Sequence, residues 1–312
     1  MDKVRKVSYY PGCSLESTAR DYADSIIGIA RLLNVQLEEL EDWSCCGATA
    51  AHSLNEFLSL ALPIRNLLLA EAQGQDVVVP CGLCFNRLKT AEKALLGPEA
   101  ATIMSRYLQY LAPVTEPDAE LEAKAAPSEI IYQGKIKIWD LLDYFTQEAM
   151  LAIIRKKIKR PLQGLKVVCY YGCLVARPPR ITDNINYENP VNMDRLVEVL
   201  GAEPYPWSHK TDCCGAGFAF CDPDLVDTLV QRLYERALEA DAECFVVSCQ
   251  MCQANLDLCQ SRISQKFGKN YYLPVLYFTD LLGLALGHPE VRAWLDRHFI
   301  NPSPLLLHKG LL

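Results

Sequence analysis

Apolar residues occur along this chain in two kinds of segment. Short apolar runs predict buried strands at residues 7–10, 77–79, 167–171 and 245–247. Longer segments space their apolar residues along one helical face, at residues 19–33, 54–73, 191–200 and 225–240. Strands that alternate with helices predict an α/β fold, in which small parallel sheets are flanked by helices. The stretch 113–128 is rich in Pro, Ala and Glu and predicts a solvated loop.

The second part of the chain repeats the first. YYPGC at residues 9–13 is echoed by YYGC at 170–173, WSCCGA at 43–48 by TDCCGA at 211–216, and VVPCGLC at 78–84 by VVSCQMC at 246–252. In both copies 34 residues separate the Cys-Cys pair from the Cys-x-x-Cys motif. We therefore predict two pseudo-symmetric repeat halves, residues 1–160 and 161–312, each with a small parallel sheet flanked by helices.

Cysteine is the residue type that points to chemistry. The chain has 14 cysteines, and ten of them form the repeated pattern. They are Cys13, Cys45, Cys46, Cys81 and Cys84 in the first half, and Cys173, Cys213, Cys214, Cys249 and Cys252 in the second. Predicted strand ends and helix starts carry these cysteines, where backbone amides can face an anionic group. Neighbouring glycines allow the backbone to approach that group closely.

Three interpretations of the repeated cysteines compete. Structural disulfides are disfavoured, because adjacent cysteines bridge only through a strained ring and a reducing cytosol opposes disulfides. Structural zinc takes four tetrahedral ligands, whereas each half offers five cysteines in register. A conventional cubane cluster also needs four thiolates. Five thiolates with an adjacent pair favour a larger or unusual iron–sulfur cluster, although spacing alone leaves the three interpretations open.

Each cysteine array resembles the cysteine-rich CCG domain, and two arrays in tandem resemble the B subunit of heterodisulfide reductase and its bacterial relatives. The segments that carry the resemblance are YYPGCSLESTARDY, CCGATAAHSLN, NYENPVNMDRLVEVLGAEP and KTDCCGAG. The resemblance implies two noncubane [4Fe-4S] clusters, one on the five first-half cysteines and one on the five second-half cysteines. It also implies a disulfide or thiol substrate that reacts between the clusters. The implied partners are a small ferredoxin-like C subunit and a flavin-containing A subunit.

Cleaving a disulfide takes two electrons, while an iron–sulfur cluster passes one at a time. Two clusters that face one pocket between the halves would meet that requirement, so we expect a catalytic subunit that reduces a disulfide or oxidises thiols. The alternative is a non-catalytic electron-relay or structural subunit of a larger oxidoreductase complex. Disulfide-dependent reoxidation of the reduced clusters would separate the two.

A few other polar residues near the cysteines are candidates for catalysis. His52 follows the first Cys-Cys-Gly motif, and His209 and Lys210 precede the second. Either histidine could protonate a departing thiolate, or could serve an ordinary capping or hydrogen-bonding role. Lys210 could offset cluster charge or attract an anionic substrate, or could be a solvated surface lysine. Arg177, shortly after Cys173, is a similar candidate.

Four cysteines lie outside the repeat: Cys169, Cys221, Cys244 and Cys259. Buried free cysteine behaves as a small apolar residue, and this is our expectation for them. Cys221 is the candidate exception, because it follows the second Cys-Cys-Gly motif closely.

Charge and hydropathy exclude several other classes. The net charge of −7 disfavours nucleic acid and anionic membrane as partners. No apolar stretch is long enough for a transmembrane segment, and the N-terminus lacks the apolar core of a signal peptide, so we expect a cytoplasmic protein. The chain has no Gly-rich nucleotide motif, and we expect no flavin or nicotinamide on it.

Overall fold

Two four-stranded parallel sheets form the framework of the protein. The computed structural model describes residues 4–48, 51–111 and 131–312. The first sheet contains β1 (Arg5–Tyr9), β2 (Val35–Glu39), β3 (Val77–Val79) and β4 (Ile138–Asp140), in the order β2-β1-β3-β4. The second contains β5 (Lys166–Tyr170), β6 (Glu203–Pro204), β7 (Cys244–Val247) and β8 (Val275–Tyr277), in the order β6-β5-β7-β8. The shared order confirms the predicted fold class of two similar α/β halves.

Helices flank both sheets. Those of the first half are α1 (Arg20–Leu32), α2 (Ala51–Leu54), α3 (Glu56–Gln73), α4 (Gly82–Leu95), α5 (Ala100–Leu111), α6 (Leu141–Phe145) and α7 (Glu148–Lys157). Those of the second are α8 (Pro179–Thr182), α9 (Asn192–Val199), α10 (Pro223–Glu239), α11 (Gln250–Phe267), α12 (Phe278–Leu286), α13 (Val291–Leu295) and α14 (Ser303–His308). A 3-10 turn occupies Ala216–Phe218. None of the described helices is long and apolar enough to cross a membrane.

Helix boundaries differ from the predicted ones where a capping residue intervenes. The predicted helix at 54–73 is split, because the Asn55 side chain accepts a hydrogen bond from the Leu58 N–H and starts α3 afresh. The helix predicted from residue 225 begins at Pro223, because Asp222 caps it and proline suits the first turn. The predicted loop at 113–128 lies outside the described residues, and the boundary between residues 160 and 161 stays a prediction.

The two halves exchange helix contacts across their interface. Helix α1 of the first half packs against α12 and α13 of the second, and α9 of the second half packs against α6 and α7 of the first. One continuous apolar core contains residues of both halves, among them Phe145 and Phe278, whose ring centroids are 6.3 Å apart. Burial of apolar surface is the main stabilising contribution to such an interface. The halves therefore form one body, and their strand ends are held in a fixed relation.

Candidate functional site

The central strands of each sheet lead into the repeated cysteines. In the first half β1 leads to Cys13, and β3 leads to Cys81 and Cys84 at the start of α4. In the second half β5 leads to Cys173, and β7 leads to the Cys-x-x-Cys motif at the start of α11. Neighbouring parallel strands end at the same edge of a sheet. The sheet order therefore brings each single cysteine beside the Cys-x-x-Cys motif of its own half.

In each half, a hydrogen bond from a tyrosine holds the loop that carries the Cys-Cys pair. The Tyr10 hydroxyl donates to the Ser44 carbonyl oxygen at 2.8 Å, one residue before Cys45. The Tyr170 hydroxyl donates to the Asp212 carbonyl oxygen at 2.7 Å, one residue before Cys213. Both rings are buried, so each tyrosine anchors the loop of its adjacent cysteines. The two loops are thus fixed in the same way in both halves.

The first-half sulfur atoms lie close together in the structure. Cys46 Sγ is 3.3 Å from Cys84 Sγ, and Cys45 Sγ is 4.0 Å from Cys13 Sγ. Cys46, Cys81 and Cys84 are buried, while Cys13 and Cys45 are exposed. The first array therefore has an inner group of three thiols and an outer, solvent-facing pair.

The second array has the same division. Cys214 Sγ is 3.8 Å from Cys252 Sγ, and both are buried together with Cys249. Cys213 is exposed and Cys173 is partly exposed. The structure thus groups the ten cysteines five and five, and a cluster on each group stays a prediction.

Mutual hydrogen bonds favour thiolates in both arrays. Hydrogen bonds from Cys45 and Cys84 lower the pKa of Cys46 to about 3, against the opposing effect of burial. A hydrogen bond from Cys173 lowers the pKa of Cys213 to about 6. The pKa of the donor thiol Cys84 shifts in the opposite direction and is raised. Thiolate is the form that ligates metal.

Backbone N–H groups point at the same sulfur atoms. The Gly47 N–H donates to Cys45 Sγ at 3.4 Å, and the Gly215 N–H donates to Cys213 Sγ at 3.3 Å. At the start of α4 the Cys84 N–H donates to Cys81 Sγ at 3.5 Å. Such amides stabilise negative charge on sulfur.

Two glycines are required by the close approach of backbone to sulfur. Gly12 has φ +74° and Gly172 has φ +70°, a left-handed conformation that side chains disfavour. A Cβ on Gly12 would lie 2.9 Å from Cys84 Sγ, and one on Gly172 would lie 2.7 Å from Cys252 Sγ. The glycine before each single cysteine therefore leaves the space that the inner thiols use.

The two arrays meet at the interface between the halves. Gly82 lies between the two cysteines of the first Cys-x-x-Cys motif, and its backbone is close to the Cys249 thiol. A hydrogen bond from Cys252 is the main cause that lowers the pKa of Cys249 to about 6, against the effect of burial, and the Gly82 backbone contributes to the same lowering. A Cβ on Gly82 would lie 3.7 Å from Cys249 Sγ. The N-terminus of α4 in one half therefore touches the cysteine motif of the other.

Further polar contacts cross the interface beside the cysteines. The Gln250 side chain donates to Ser14 Oγ at 2.8 Å, which joins the residues that follow Cys249 and Cys13. Asn86 Nδ2 donates to the Leu174 carbonyl oxygen at 3.0 Å, just after Cys173. These contacts between the halves are not predicted from the sequence. Their only signal was the position of polar residues directly after the cysteines.

A cavity of about 250 Å³ opens at this interface. The first half contributes residue 14 and residues 17–21, and the second half contributes Gln250, Met251, Gln253, Ala254, Asp257, Tyr277, Arg297 and Phe299. The cavity wall thus includes residues adjacent to Cys13, Cys249 and Cys252. A pocket between the halves is predicted, and this one is lined by both polar and apolar side chains, with no cysteine among its lining residues.

Lys210 is held in a buried ion pair. Its Nζ lies 2.8 Å from Asp194 Oδ1 and donates to the Pro190 carbonyl oxygen at 3.1 Å. With 6% exposure, it is not the solvated surface lysine that was one of the alternatives. Its backbone carbonyl accepts hydrogen bonds from the Tyr171 and Gly172 N–H groups. These contacts favour a structural role, and a catalytic role for Lys210 stays a prediction.

The two candidate histidines differ in what the structure describes. His209 is buried behind the second array, where its Nε2 accepts from Arg232 Nε at 3.2 Å and its Nδ1 pairs with Ser208 Oγ at 2.8 Å. Burial lowers its pKa, so the ring is neutral near pH 7. His52 lies in α2, and its side chain is outside the described residues. Catalytic roles for His52 and His209 stay predictions.

The cysteines outside the repeat are mostly core residues. Cys169, Cys244 and Cys259 are buried, whereas Cys221 is exposed. Burial raises the pKa of all three buried thiols. They therefore behave as the small apolar residues that the sequence analysis expected, and Cys221 is the exception.

The donor set of each array fits an iron–sulfur cluster. Within the described ranges, no three His, Cys, Asp or Glu side chains converge on a position for one metal ion. The five thiols of each array are divided between an inner group and an outer pair. Backbone N–H donors lie beside them, and a glycine leaves space next to the inner thiols. Thiolates with hydrogen-bond donors are the usual surroundings of such clusters.

Comparison with known proteins agrees with this geometry. The cysteine-rich domain family CCG matches residues 7–89 and 167–257. The chain is 30% identical to the 8-methylmenaquinol:fumarate reductase membrane anchor subunit of Wolinella succinogenes, over 96% of this chain and 99% of that protein. It is 28% identical to the B subunit of the ferredoxin/F420H2-dependent CoB-CoM heterodisulfide reductase of Methanosarcina acetivorans, over 96% of this chain and 95% of that protein.

A solved structure shares the fold. The crystal structure of a hypothetical protein from Helicobacter pylori superposes with a TM-score of 0.66 at 12% identity, covering 96% of this chain and 53% of that one. Identity this low supports the architecture alone. The two matched domains cover more than half of the chain, so the chain belongs to the cysteine-rich CCG domain family, with two such domains in tandem, and it is similar to heterodisulfide reductase B subunits over nearly its full length.

Proposed function

We propose that this chain is the catalytic iron–sulfur subunit of a heterodisulfide reductase-like complex. It would bind two noncubane [4Fe-4S] clusters and reduce a disulfide, or oxidise two thiols, between them. The observation that carries the proposal is the close approach of two matched five-cysteine arrays, at Gly82 of the first and Cys249 of the second. Two redox sites that touch at an interface suit a reaction that needs two electrons.

Each array would hold one cluster through its own five cysteines. The first set is Cys13, Cys45, Cys46, Cys81 and Cys84, and the second is Cys173, Cys213, Cys214, Cys249 and Cys252. Bound clusters would supply one electron each. The inner thiols are shielded from water, while the outer pair, Cys13 and Cys45 or Cys173 and Cys213, lies at the accessible edge of its array.

The overall reaction consumes protons as well as electrons. A disulfide that gains two electrons and two protons yields two thiols, and its sulfur–sulfur bond breaks. The electrons must come from a partner, because the chain carries no sequence motif for a flavin or nicotinamide. We propose that a ferredoxin-like C subunit is the direct donor and that a flavin-containing A subunit supplies it. A cytoplasmic location is part of the same proposal.

A second candidate function is electron relay without a substrate. The name of the Wolinella relative, an 8-methylmenaquinol:fumarate reductase membrane anchor, favours it. In that case the chain would pass electrons between partners, and a disulfide would not reoxidise it. Both candidate functions imply the same metal content, so only a measurement of disulfide turnover can distinguish them.

Two measurements test the proposed function in sequence. Protein purified without oxygen should contain about eight irons and about eight acid-labile sulfides per chain. Zinc in stoichiometric amount, without labile sulfide, would exclude the clusters. The reduced protein should then be mixed with small-molecule disulfides, and spectral reoxidation that depends on disulfide concentration supports catalysis over relay.

A further inference from the structure

A buried histidine lies among three carboxylates where the two halves meet. The His298 side chain has 0% exposure, with Nε2 3.4 Å from Asp280 Oδ2 and 3.9 Å from Asp21 Oδ2. Asp257 is the third carboxylate that acts on the ring. We call these four residues the His298 cluster. It brings together α1 of the first half with α11, α12 and the segment after α13 of the second.

The carboxylates of the His298 cluster keep the His298 ring protonated at neutral pH. Burial alone would lower the pKa of His298, but Asp280, Asp257 and Asp21 outweigh it and raise the pKa to about 9. Burial also raises the pKa of Asp21 and of Asp257. The imidazolium at neutral pH is therefore a positive charge with no exposed surface.

Other charged groups near the ring are already paired or neutral. Arg297, the preceding residue in the chain, forms an ion pair with Asp24 at 2.6 Å. Tyr277 meets the His298 ring edge-on, with centroids 5.9 Å apart, and burial raises the pKa of its hydroxyl. The carboxylates of the His298 cluster are therefore the groups that set the charge of the imidazole near neutral pH.

The His298 cluster has access to water through the cavity between the halves. Asp21 and Asp257 both line that cavity of about 250 Å³. The Asp21 side chain retains 13% exposure, whereas that of Asp280 retains 1%. A proton can therefore reach His298 from the cavity side without crossing the apolar core.

Hydrogen bonds connect the His298 cluster to the start of α11, the helix that carries Cys252. Gln253, the residue after Cys252, donates from Nε2 to Asp257 Oδ2 at 3.2 Å. The oxygen of the same amide accepts from the Tyr277 hydroxyl at 3.4 Å. Cys249 is close enough to act on the charge of Tyr277. The buried positive charge of His298 consequently lies on the side of the second array.

The described residues of the first half form no equivalent of the His298 cluster. Asp143 occupies the position that corresponds to Asp280, three residues after the last strand of its sheet. Its carboxylate accepts a hydrogen bond from Asn192 instead of facing a histidine. His298 comes from the segment after α13, which follows the repeated elements. The His298 cluster therefore distinguishes the second array from the first.

We propose that electron uptake at the second cysteine array is coupled to the proton held in the His298 cluster. This inference rests on the proposed function, since it requires a redox centre at the second array. An added electron is stabilised by a nearby positive charge in a low-dielectric interior. Above the pH at which His298 loses its proton, the electron from the partner iron–sulfur subunit and a proton from the cavity enter together.

The test is a redox titration at several pH values, followed by electron paramagnetic resonance on the full-length protein with its clusters. The signal of the second centre is assigned by its loss in Cys214→Ala. The wild-type potential of that centre should be constant near neutral pH and fall as the pH rises above about 9. In His298→Gln it should be lower and independent of pH. A purely structural role for His298 predicts no pH-dependent difference of this kind.

Two further variants complete the test. His288→Gln is the matched control, because His288 lies on the same C-terminal segment but packs against Trp294, with centroids 4.4 Å apart. It should keep the wild-type curve. Asp21→Asn removes one carboxylate at the cavity, which should move the fall in potential to lower pH and tests the proposal even when His298→Gln does not fold.

The two kinds of failure are distinguishable. The inference is overturned if the potential of the second centre in the wild type does not depend on pH. It is also overturned if that potential changes with pH in the same way in the wild type and in Asp21→Asn. Either result leaves the proposed function intact. Absence of any redox signal from the second array overturns the proposed function, and the inference with it.

Discussion

Tyr22 of the first half stacks on Tyr277 of the second half, with ring centroids 4.0 Å apart and planes 6° apart. The Tyr22 hydroxyl donates a hydrogen bond to the Ser248 carbonyl oxygen at 2.8 Å, one residue before Cys249. Both rings are almost fully buried. A single aromatic pair thus joins the halves and also fixes the strand end that carries the second Cys-x-x-Cys motif.

Removing the Tyr22 ring should destabilise the whole protein. Tyr22→Ala deletes a buried aromatic ring, which costs about 3 to 5 kcal/mol of unfolding free energy in comparable cores. Tyr22→Phe keeps the stack and loses only the hydrogen bond to Ser248, which costs about 1 kcal/mol. Denaturant unfolding under anaerobic conditions measures both. Equal losses for the two variants would show that the stacked ring contributes nothing to the interface.

Substitution of the glycine before each single cysteine should remove one metal centre at a time. Gly12→Ala places a Cβ 2.9 Å from Cys84 Sγ, and Gly172→Ala places one 2.7 Å from Cys252 Sγ. The backbone is also left-handed at both positions, so alanine is strained there. We expect the iron content to fall from about eight to about four per chain in either variant.

The control for this experiment is Gly164→Ala. Gly164 has φ +75°, similar to Gly12, but a Cβ there would meet no atom within 4 Å. It therefore tests backbone strain without a clash against sulfur. Iron loss in Gly164→Ala equal to that in Gly12→Ala would mean that strain, rather than the space beside the cysteine, decides cluster assembly.

The stability contributed by His298 should depend on pH. Its pKa is raised from 6.5 to about 9 by the surrounding carboxylates, against the effect of burial. A raised pKa stabilises the folded protein below the unfolded value, and this contribution is lost as the pH rises through the folded value. The difference in unfolding free energy between wild type and His298→Gln should therefore shrink from pH 6.5 to about 9. A difference that grows over this interval would contradict the charge assignment.

The sequence predicted the fold and the grouping of the ten array cysteines because both follow from local, repeated patterns. Apolar runs alternate with helical spacing, and the single cysteine and the Cys-x-x-Cys motif of each half follow strands whose place in the sheet is fixed by the order of elements. The Cys-Cys pairs, which were expected at strand ends or helix starts, lie in loops instead. In the structure the sulfur atoms of Cys46 and Cys84 are 3.3 Å apart, and those of Cys214 and Cys252 are 3.8 Å apart.

Contacts between the halves could not be predicted in the same way. The members of the His298 cluster come from four segments that are far apart in sequence, and no spacing relates them. Lys210 shows that closeness in sequence can also mislead. Its position just before the second Cys-Cys motif suggested that it offsets cluster charge or attracts an anionic substrate. In the structure its ammonium group is paired with Asp194 of α9, a partner that only the tertiary fold supplies.

The final prediction separates catalysis from relay. Cys214→Ala should disturb the second array and leave the first assembled, because the two sets of cysteines share no residue. Cys46→Ala is the matched variant in the first half, and both side chains are buried. If disulfide reduction requires both arrays, its steady-state rate should fall at least tenfold, or roughly 1.4 kcal/mol in activation free energy, in each variant.

Electron uptake distinguishes the two arrays in the same pair of variants. The array nearest the partner should be the entry point, so one variant should still accept electrons from the reduced partner while the other should not. A relay predicts a different outcome, in which one variant retains nearly full turnover of the complex, because only one array lies on the route. Cluster spectra must accompany the rates. Near-normal disulfide reduction in a variant whose cluster is demonstrably absent would exclude the paired-array mechanism.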